Sequence, residues 1–166
     1  MQRRAALAAL LLLGAAPDSG ITVVHTPAVQ ALLRTPGLII LDVSPRKRRP
    51  SGLARGAPWL PPPHRDIPGS AWIPGAGEDP IPPALDRYFR ARLAALTRGD
   101  RNRPILLYCH PHCAMSRNAA RRVLGYGYRN VFWYPDGIEG WEDAGMPTAP
   151  AAPQGPQAMP AQSPAR

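Results

Sequence analysis

The sequence lacks an apolar run of the about 20 residues that a membrane-spanning helix requires. Its longest such run, Ala5 to Leu13, is too short and follows a basic start, Met1 to Arg4. Small residues come next at Gly14 to Ala16, the order found in secretory signal peptides, although Pro17 disfavours a cut directly after Ala16. We therefore expect residues 1–20 to be a signal peptide with an approximate cleavage site. The mature protein would be periplasmic or secreted, and would meet the membrane only during export.

Acidic residues are also few. The chain has 11 Asp and Glu against 20 Lys and Arg, which gives a formal net charge of +9, carried almost entirely by arginine. Such an excess favours anionic partners. The arginines are scattered, however, and no basic helix with interleaved aromatic residues is present, so we expect no nucleic-acid binding. The densest basic run, Arg46 to Arg49, falls in the proline-rich loop Ser44 to Pro63 and should be solvated, or should contact an acidic partner protein.

Cysteine is scarce too, and both copies, Cys109 and Cys113, lie in one short stretch. Export would place them in an oxidising compartment, where a disulfide is permitted and a free thiol needs a reductant. The motif Cys-x-x-Cys-His is missing, so covalent c-type haem is not indicated, and we expect no cofactor.

Proline is abundant, at 23 residues, which excludes a uniformly folded chain, while 45% hydrophobic residues suffice for one domain with a core. The segment from Thr148 to Arg166 is rich in proline and alanine and has few large apolar residues. We expect it to be a disordered tail that follows a domain of residues 21–147.

Within that domain, short apolar runs alternate with amphipathic stretches. The pattern predicts strands at Ile21 to Val24, Leu38 to Val43, around Ala71 and Trp72, at Ile105 to Tyr108 and at Val131 to Tyr134, and helices at Ala28 to Arg34, Pro83 to Thr97, Ser116 to Gly125 and Ile138 to Ala144. Such alternation indicates an α/β fold with a mainly parallel central sheet flanked by helices.

The stretch from Pro104 to Tyr128 contains both cysteines between a buried strand and a helix. Ser116 is a favourable N-cap for that helix, and Cys109 directly follows the strand at the carboxyl edge of the sheet. Because a helix N-terminus stabilises negative charge, the Cys109 thiol should be partly ionised, with Arg117 as a further positive group. Asp42 interrupts the apolar run Leu38 to Val43 near its carboxyl end, and we expect it to support the structure by binding loop N–H groups.

The two cysteines allow several interpretations on spacing alone. Three residues separate them, so they could form a redox-active dithiol or a permanent disulfide if their Cα atoms lie within about 7 Å. Cys109, His110, His112 and Cys113 together offer ligands suited to copper or zinc, although the spacing matches no common zinc pattern.

A family resemblance covers Ile21 to Pro147. The segments LIILDVSP, DIPGSAWIPGA, PILLYC, SRNAARRVLGYGYRNV and GIEGWEDAGMP occur in the order found in rhodanese domains, which they resemble. More narrowly, CAMSRNAARRVLGYGYRNVFWYPDGIEGW is similar to exported rhodanese-like proteins associated with pyrroloquinoline-quinone-dependent alcohol catabolism, named for two cysteines followed by tryptophan. Ala114 stands where that group has the tryptophan.

The resemblance implies that Cys109 is a sulfurtransferase nucleophile. It would take sulfur from a small anionic donor such as thiosulfate and hold it as a persulfide, with Cys113 as the resolving or disulfide partner. The implied anion-binding loop comprises His110, Pro111, His112, Ala114, Met115, Ser116 and Arg117.

Two departures from the family pattern concern this loop. Met115 occupies the place of the usual loop arginine, and the loop is one residue longer than in sulfurtransferases. Met115 also breaks the Cys-x-x-x-x-x-Arg pattern of rhodanese-like phosphatases, so phosphatase activity is not expected. The leading hypothesis is sulfur transfer or persulfide handling through Cys109. The alternatives are a non-enzymatic or thiol-disulfide accessory factor for a periplasmic quinone-dependent dehydrogenase, and copper or zinc binding.

Overall fold

A computed structural model describes residues 18–156, which form four helices and seven strands. The strands are β1 (Ile21–Val23), β2 (Ile39–Asp42), β3 (His64–Asp66), β4 (Ala71–Trp72), β5 (Ile105–Tyr108), β6 (Val131–Tyr134) and β7 (Ala149–Ala151). The helices are α1 (Thr26–Leu32), α2 (Pro83–Thr97), α3 (Ala114–Gly125) and α4 (Gly137–Asp143). The signal peptide expected at residues 1–20 lies outside the described residues, except for its last three positions.

Five strands form one parallel sheet in the order β1-β6-β5-β2-β4. The predicted α/β architecture with a mainly parallel sheet is confirmed. A separate antiparallel pair joins β3 to β7. Because β5 lies in the middle of the parallel sheet, the loop that follows it opens at the centre of the sheet's carboxyl edge, as predicted for the cysteine loop.

Helices cover both faces of the sheet, and alternate strand residues point into two separate cores. Leu107 packs with α2 and α3 on one face, whereas Leu106 and Tyr108 pack with α1 and α4 on the other. All four residues of β5 are completely buried, which explains its continuous apolar sequence. None of the helices in residues 18–156 is long and apolar enough to cross a bilayer.

The start of α3 differs from the expectation. The helix begins at Ala114 with Cys113 as its N-cap, so Ser116 lies inside the first turn and does not cap it. Ser116 is buried, and its hydroxyl group contacts Cys109 and Trp133. Ser116 was predicted as the N-cap because serine is preferred at that position and cysteine is not. In the structure its contacts with Cys109 and Trp133 hold it within the helix instead.

The prediction of a disordered tail from Thr148 is wrong for the part of the tail that the structure describes. Ala149–Ala151 forms β7, which pairs with β3. The Gln154 N–H donates to the Trp72 carbonyl at 2.8 Å, and Arg65 donates to the Thr148 carbonyl at 2.6 Å. A proline within β7 is compatible with this pairing because a strand with one free edge does not need every N–H group. Residues 157–166 lie outside the described part.

The basic run in the loop after β2 is not uniformly solvated, contrary to expectation. Arg49 donates hydrogen bonds to the carbonyls of Leu53, Ala54 and Ala57, and so closes its own loop. Arg46 is half-buried, and two of its guanidinium nitrogens are shielded from solvent.

The contacts of β7 predict that part of the tail contributes to stability. A chain that ends at Pro147 should have a free energy of unfolding about 1–3 kcal/mol lower than the full chain, because several hydrogen bonds worth about 1 kcal/mol each are lost. Urea denaturation measures this difference. The matched control ends at Pro156 and retains β7, so the difference between the two truncated chains isolates the contribution of β7 and its neighbours. Equal stability of the two truncated chains would contradict the structural role assigned to β7.

Candidate active site at the cysteine loop

Cys109 follows β5 directly and is completely buried. Its side chain belongs to the core on the α2 and α3 face. The backbone is held from the opposite side, because the N–H of Ile138 donates to the Cys109 carbonyl at 2.9 Å. The cysteine is therefore fixed by the sheet and by α4, as part of the core.

The Cys109 sulfur lies among hydrogen-bonding groups of the following loop. The Sγ to Ser116 Oγ distance is 3.1 Å, and the carbonyl oxygens of His110 and Cys113 lie 3.4 and 3.5 Å from Sγ. Trp133 Nε1 in turn donates to Ser116 Oγ at 3.0 Å, which fixes that hydroxyl group. A protonated thiol can donate to these oxygens, whereas a thiolate would face two carbonyl dipoles of unfavourable sign.

Burial raises the pKa of the Cys109 thiol to about 12. Hydrogen bonds from the Ser116 hydroxyl and N–H groups oppose this rise in pKa, and the neighbouring Cys113 thiol adds to it. The expectation of a partly ionised Cys109 is therefore wrong for this conformation. A helix N-terminus stabilises a negative charge by up to about 2 kcal/mol. Full burial can raise a thiol's pKa by about 3–5 units, and each unit corresponds to about 1.4 kcal/mol. The effect of burial is therefore the larger of the two.

The loop between the two cysteines turns back through an unusual backbone conformation. The N–H of Cys113 donates to the His110 carbonyl at 3.2 Å, and His112 has a φ of 58°. Positive φ is unfavourable for a side chain other than glycine, so the loop holds His112 at some cost. The turn brings Cys113 to the start of α3, beside the buried Cys109 thiol.

Two glycines allow neighbouring segments to approach this loop. A Cβ atom at Gly137, which has a φ of 64°, would overlap the Cys109 carbonyl. A Cβ atom at Gly77 would overlap the Met115 carbonyl. The loop is therefore clamped between the start of α4 and the segment that follows β4.

Two predicted loop residues with charged or ionisable side chains form pairs. His110 Nδ1 lies 2.6 Å from Glu139 Oε1, and Arg117 Nε donates to Asp18 at 3.1 Å. Asp18 also pairs with Arg121, and its two arginine partners lower its pKa to about 2. In a chain that retains Asp18, much of the Arg117 charge is thus compensated, and this arginine attracts a donor anion less than a free one would. Cleavage after Asp18, within the expected signal peptide, would remove this partner of Arg117.

Two clefts open beside the loop, and Cys113 lines both of them. The larger measures about 660 Å³ and contains Pro111, His112, Ala114 and Arg117. The smaller measures about 490 Å³ and contains Ala114 and Met115. Cys109 lines neither cleft, so Cys113 is the thiol that an incoming molecule meets first.

The larger cleft is not uniformly positive. Asp136, Glu139 and Asp143 line it together with His25, His112 and Arg117. His25 pairs with Asp136 at 2.9 Å. A dianion such as thiosulfate would meet mixed charge here, whereas the sequence predicted positive groups around the loop, namely the helix N-terminus and Arg117.

The predicted structural residue Asp42 is buried at the end of β2. Its Oδ1 accepts a hydrogen bond from the Ser44 N–H at 2.7 Å, the kind of loop contact expected for it. Its Oδ2 lies 2.6 Å from His64 Nε2, and His64 stacks on Trp72 with ring centroids 3.7 Å apart. Trp72 is 7% exposed and is one of the buried hydrophobic residues of the core.

The possible metal ligands of the loop do not form a ready site. Among the residues that the structure describes, no group of three or more His, Cys, Asp or Glu side chains is arranged to hold a metal ion. His110 is directed to Glu139, and His112 is exposed. Copper or zinc binding would therefore require the loop to rearrange.

Sequence reasoning missed several residues that shape the site, notably Trp133, Glu139 and Gly77. Trp133 pairs in register with Leu107 across β5 and β6, so the parallel strand order would have placed it near the cysteine loop. Glu139 and Gly77 come from segments distant in the chain, and their approach to the loop depends on the tertiary fold.

Comparison with known proteins gives one family match and several structural matches. The model of the Rhodanese-like domain family matches residues 26–144. A protein from Bacillus halodurans has 21% identity and a TM-score of 0.51, covering 77% of this chain and 76% of its own. A Rhodopseudomonas palustris protein of unknown function, named a possible tyrosine phosphatase, has 21% identity and a TM-score of 0.50, covering 80% and 88%.

Thiosulfate sulfurtransferase from Pseudomonas aeruginosa has 22% identity and a TM-score of 0.49, covering 80% of this chain and 21% of its own. Among the curated proteins, no sequence matches.

The difference in exposure predicts that Cys113 reacts with iodoacetamide before Cys109 does. At pH 8 the Cys109→Ser variant, which retains Cys113, should be alkylated at least about tenfold faster than the Cys113→Ser variant. In Cys113→Ser, burial still raises the pKa of Cys109, so its rate should keep rising about tenfold per pH unit between about pH 8 and 10. Intact mass against time measures both rates.

Denatured protein is the control for this experiment, because both variants should react equally fast in urea. Equal rates for the two folded variants at pH 8 would show that Cys109 is as accessible as Cys113.

Proposed function

Since this chain belongs to the rhodanese-like domain family, we propose that it accepts sulfane sulfur at its cysteine loop and passes it on. The rhodanese-like fold inferred from the motifs is confirmed, with its parallel sheet and covering helices. One observation carries the functional proposal. A single loop at the carboxyl edge of the sheet holds two free thiols side by side, with Cys113 on the clefts and Cys109 buried behind it.

The exposure of the thiols supports an order of events different from the one that the resemblance implies. Cys113, as thiolate, attacks the sulfane sulfur of a small anionic donor. With thiosulfate, a new S–S bond forms on Cys113 and sulfite leaves with the electron pair of the broken bond, giving a Cys113 persulfide. Cys109 would be a poor first nucleophile because its thiol is buried and protonated.

Cys109 then acts as the resolving thiol. Its sulfur attacks the inner sulfur of the Cys113 persulfide, a disulfide forms between the two cysteines, and the outer sulfur leaves as hydrosulfide. The thiol proton of Cys109 goes to the departing sulfur, which therefore leaves as hydrosulfide. The two cysteines are oxidised together while the transferred sulfur is reduced, and an external thiol must restore the dithiol for another cycle. A thiol acceptor that reaches the Cys113 persulfide first would take the sulfur without disulfide formation.

A second candidate function is a thiol-disulfide accessory factor without sulfur transfer. Met115 in place of the loop arginine and the mixed charge of the larger cleft favour it, because both reduce the attraction for a sulfur-donor anion. Partnership with a periplasmic quinone-dependent dehydrogenase rests on the resemblance alone, and so does membership of the two-cysteine group. Export rests on the residues before Asp18, which lie outside the described part.

Intact mass after incubation with thiosulfate tests the proposed function. The Cys109→Ser variant should gain one sulfur atom and release one equivalent of sulfite, because the persulfide on Cys113 then has no resolving partner. The Cys113→Ser variant should gain none. The reduced wild-type protein should lose two hydrogens and release both sulfite and sulfide.

Other results would separate the alternatives. Sulfur gain on Cys113→Ser but not on Cys109→Ser would keep sulfur transfer and restore Cys109 as the nucleophile. Absence of sulfite release from all three proteins would overturn sulfur transfer. If mild oxidation then still removed two hydrogens from the wild type, the accessory dithiol function would stand instead.

A further inference from the structure

A separate cleft of about 390 Å³ lies beside the ends of the β3 and β7 pair. We call it the tryptophan cleft, because Trp59 and Trp72 line it, together with Arg46, Lys47, His64 and a run of prolines. None of these residues lines the clefts at the cysteine loop. Its volume falls in the range of small-molecule sites, about 300–1,000 Å³.

Arg46 is the unusual feature of this cleft. Its Nε and Nη2 atoms are buried, and neither has a hydrogen-bond partner among the described residues. Burying a guanidinium N–H without an acceptor is costly, since the group loses its water and gains nothing in return. Nε and one terminal nitrogen form the fork that binds a carboxylate through two parallel hydrogen bonds. In this conformation both nitrogens are shielded from solvent, so the side chain has to turn toward the cleft before a ligand reaches them. A ligand with two acceptor oxygens would then satisfy both donors, which removes the cost of leaving them unpaired.

The buried carboxylate nearest to Arg46 in sequence does not satisfy it. Asp42 uses Oδ1 to accept from the Ser44 N–H at 2.7 Å and Oδ2 to bind His64 at 2.6 Å. Asp66, the other buried carboxylate of this region, makes no ion pair with Arg46 either. Lys47, on the rim of the same cleft, adds a second positive charge.

The walls of the cleft are aromatic and rigid. Trp72 stacks on His64 at 3.7 Å with 14° between the ring planes, and its Nε1 donates to the Ser44 carbonyl at 2.8 Å. Trp59 and the prolines supply further flat apolar surface, and Ala151 and Pro153 of the tail complete the wall. Such surfaces favour a ligand with a flat apolar body, which would cover them. A small inorganic anion would leave these apolar surfaces in contact with water.

We propose that the tryptophan cleft binds a small aromatic carboxylate. The Arg46 guanidinium turns toward the cleft, where the carboxylate accepts two hydrogen bonds from its Nε and Nη2. Lys47 adds electrostatic attraction, and the ring packs on the indoles of Trp59 and Trp72. The site is independent of the cysteine loop, and its occupancy does not require either thiol. It does require β7, because the tail contributes part of the wall.

Calorimetric titration of the full chain with 2-naphthoate tests this proposal, with 2-naphthamide as the uncharged analogue of the same shape. The carboxylate should bind saturably, and the amide at least about tenfold more weakly, because it cannot accept two charge-assisted hydrogen bonds. Arg46→Gln should weaken 2-naphthoate binding by at least about tenfold. Arg48→Gln is the matched control: it removes the same charge from an exposed position of the same loop and should leave the affinity unchanged.

Arg46→Lys keeps the charge without the fork and should also lose most of the affinity, so the test does not depend on the folding of one variant. Equal loss in Arg46→Gln and Arg48→Gln would show a general charge effect and overturn the site. If hexanoate bound as tightly as 2-naphthoate, the proposed packing of an aromatic ring on the indoles would be overturned. Displacement of 2-naphthoate by equimolar sulfate would show an unselective anion site and would overturn the preference for a carboxylate. Absence of saturable binding up to about 10 mM, a free energy near −3 kcal/mol, would overturn the proposal as a whole.

Discussion

The burial of β5 between two helix layers is the constraint on which the rest of this structure depends. All four of its residues are inaccessible to solvent, and its neighbours β2 and β6 pair with it along its whole length. A strand in this position cannot shift by one residue without exchanging the side chains of its two faces. The first residue beyond it, Cys109, therefore has a fixed place and a fixed direction. The high pKa of its thiol is a consequence of that place.

The central elements could be read from the sequence because their patterns are local. The amphipathic pattern predicted α2 at Pro83–Thr97, and short apolar runs predicted β5 at Ile105–Tyr108 and β6 at Val131–Tyr134. All three have the predicted bounds. Helix covering of both sheet faces followed from the continuous apolar runs, since such runs have no polar side to present to water. The family resemblance added the order of the motifs, and the match over residues 26–144 agrees with it.

The site was less predictable because its chemistry depends on contacts between distant segments. The expected activation of Cys109 considered the helix N-terminus and omitted desolvation, which is the larger effect. The pairing of His110 with Glu139 and of Arg117 with Asp18 joins residues far apart in the chain. The hydrophobic periodicity of a sequence describes local structure, so it cannot predict side-chain pairs between distant segments. The tail was misjudged for a related reason, because β7 exists only through its pairing with β3.

These contacts give the two cysteines of one loop different surroundings, which is the basis of the different roles proposed for them. Cys109 belongs to the core and is held by β5, Ser116 and the start of α4. Cys113 is half-buried, occupies the N-cap position of α3 and lines both clefts. A thiol that lines the clefts is the one that a donor reaches first, and burial keeps the Cys109 thiol beside it protonated because it raises the pKa. In the proposed mechanism, burial thus separates first attack from resolution. The resolving step of that mechanism uses the second thiol, so it has no need of the loop arginine that the family resemblance leads one to expect at the position of Met115.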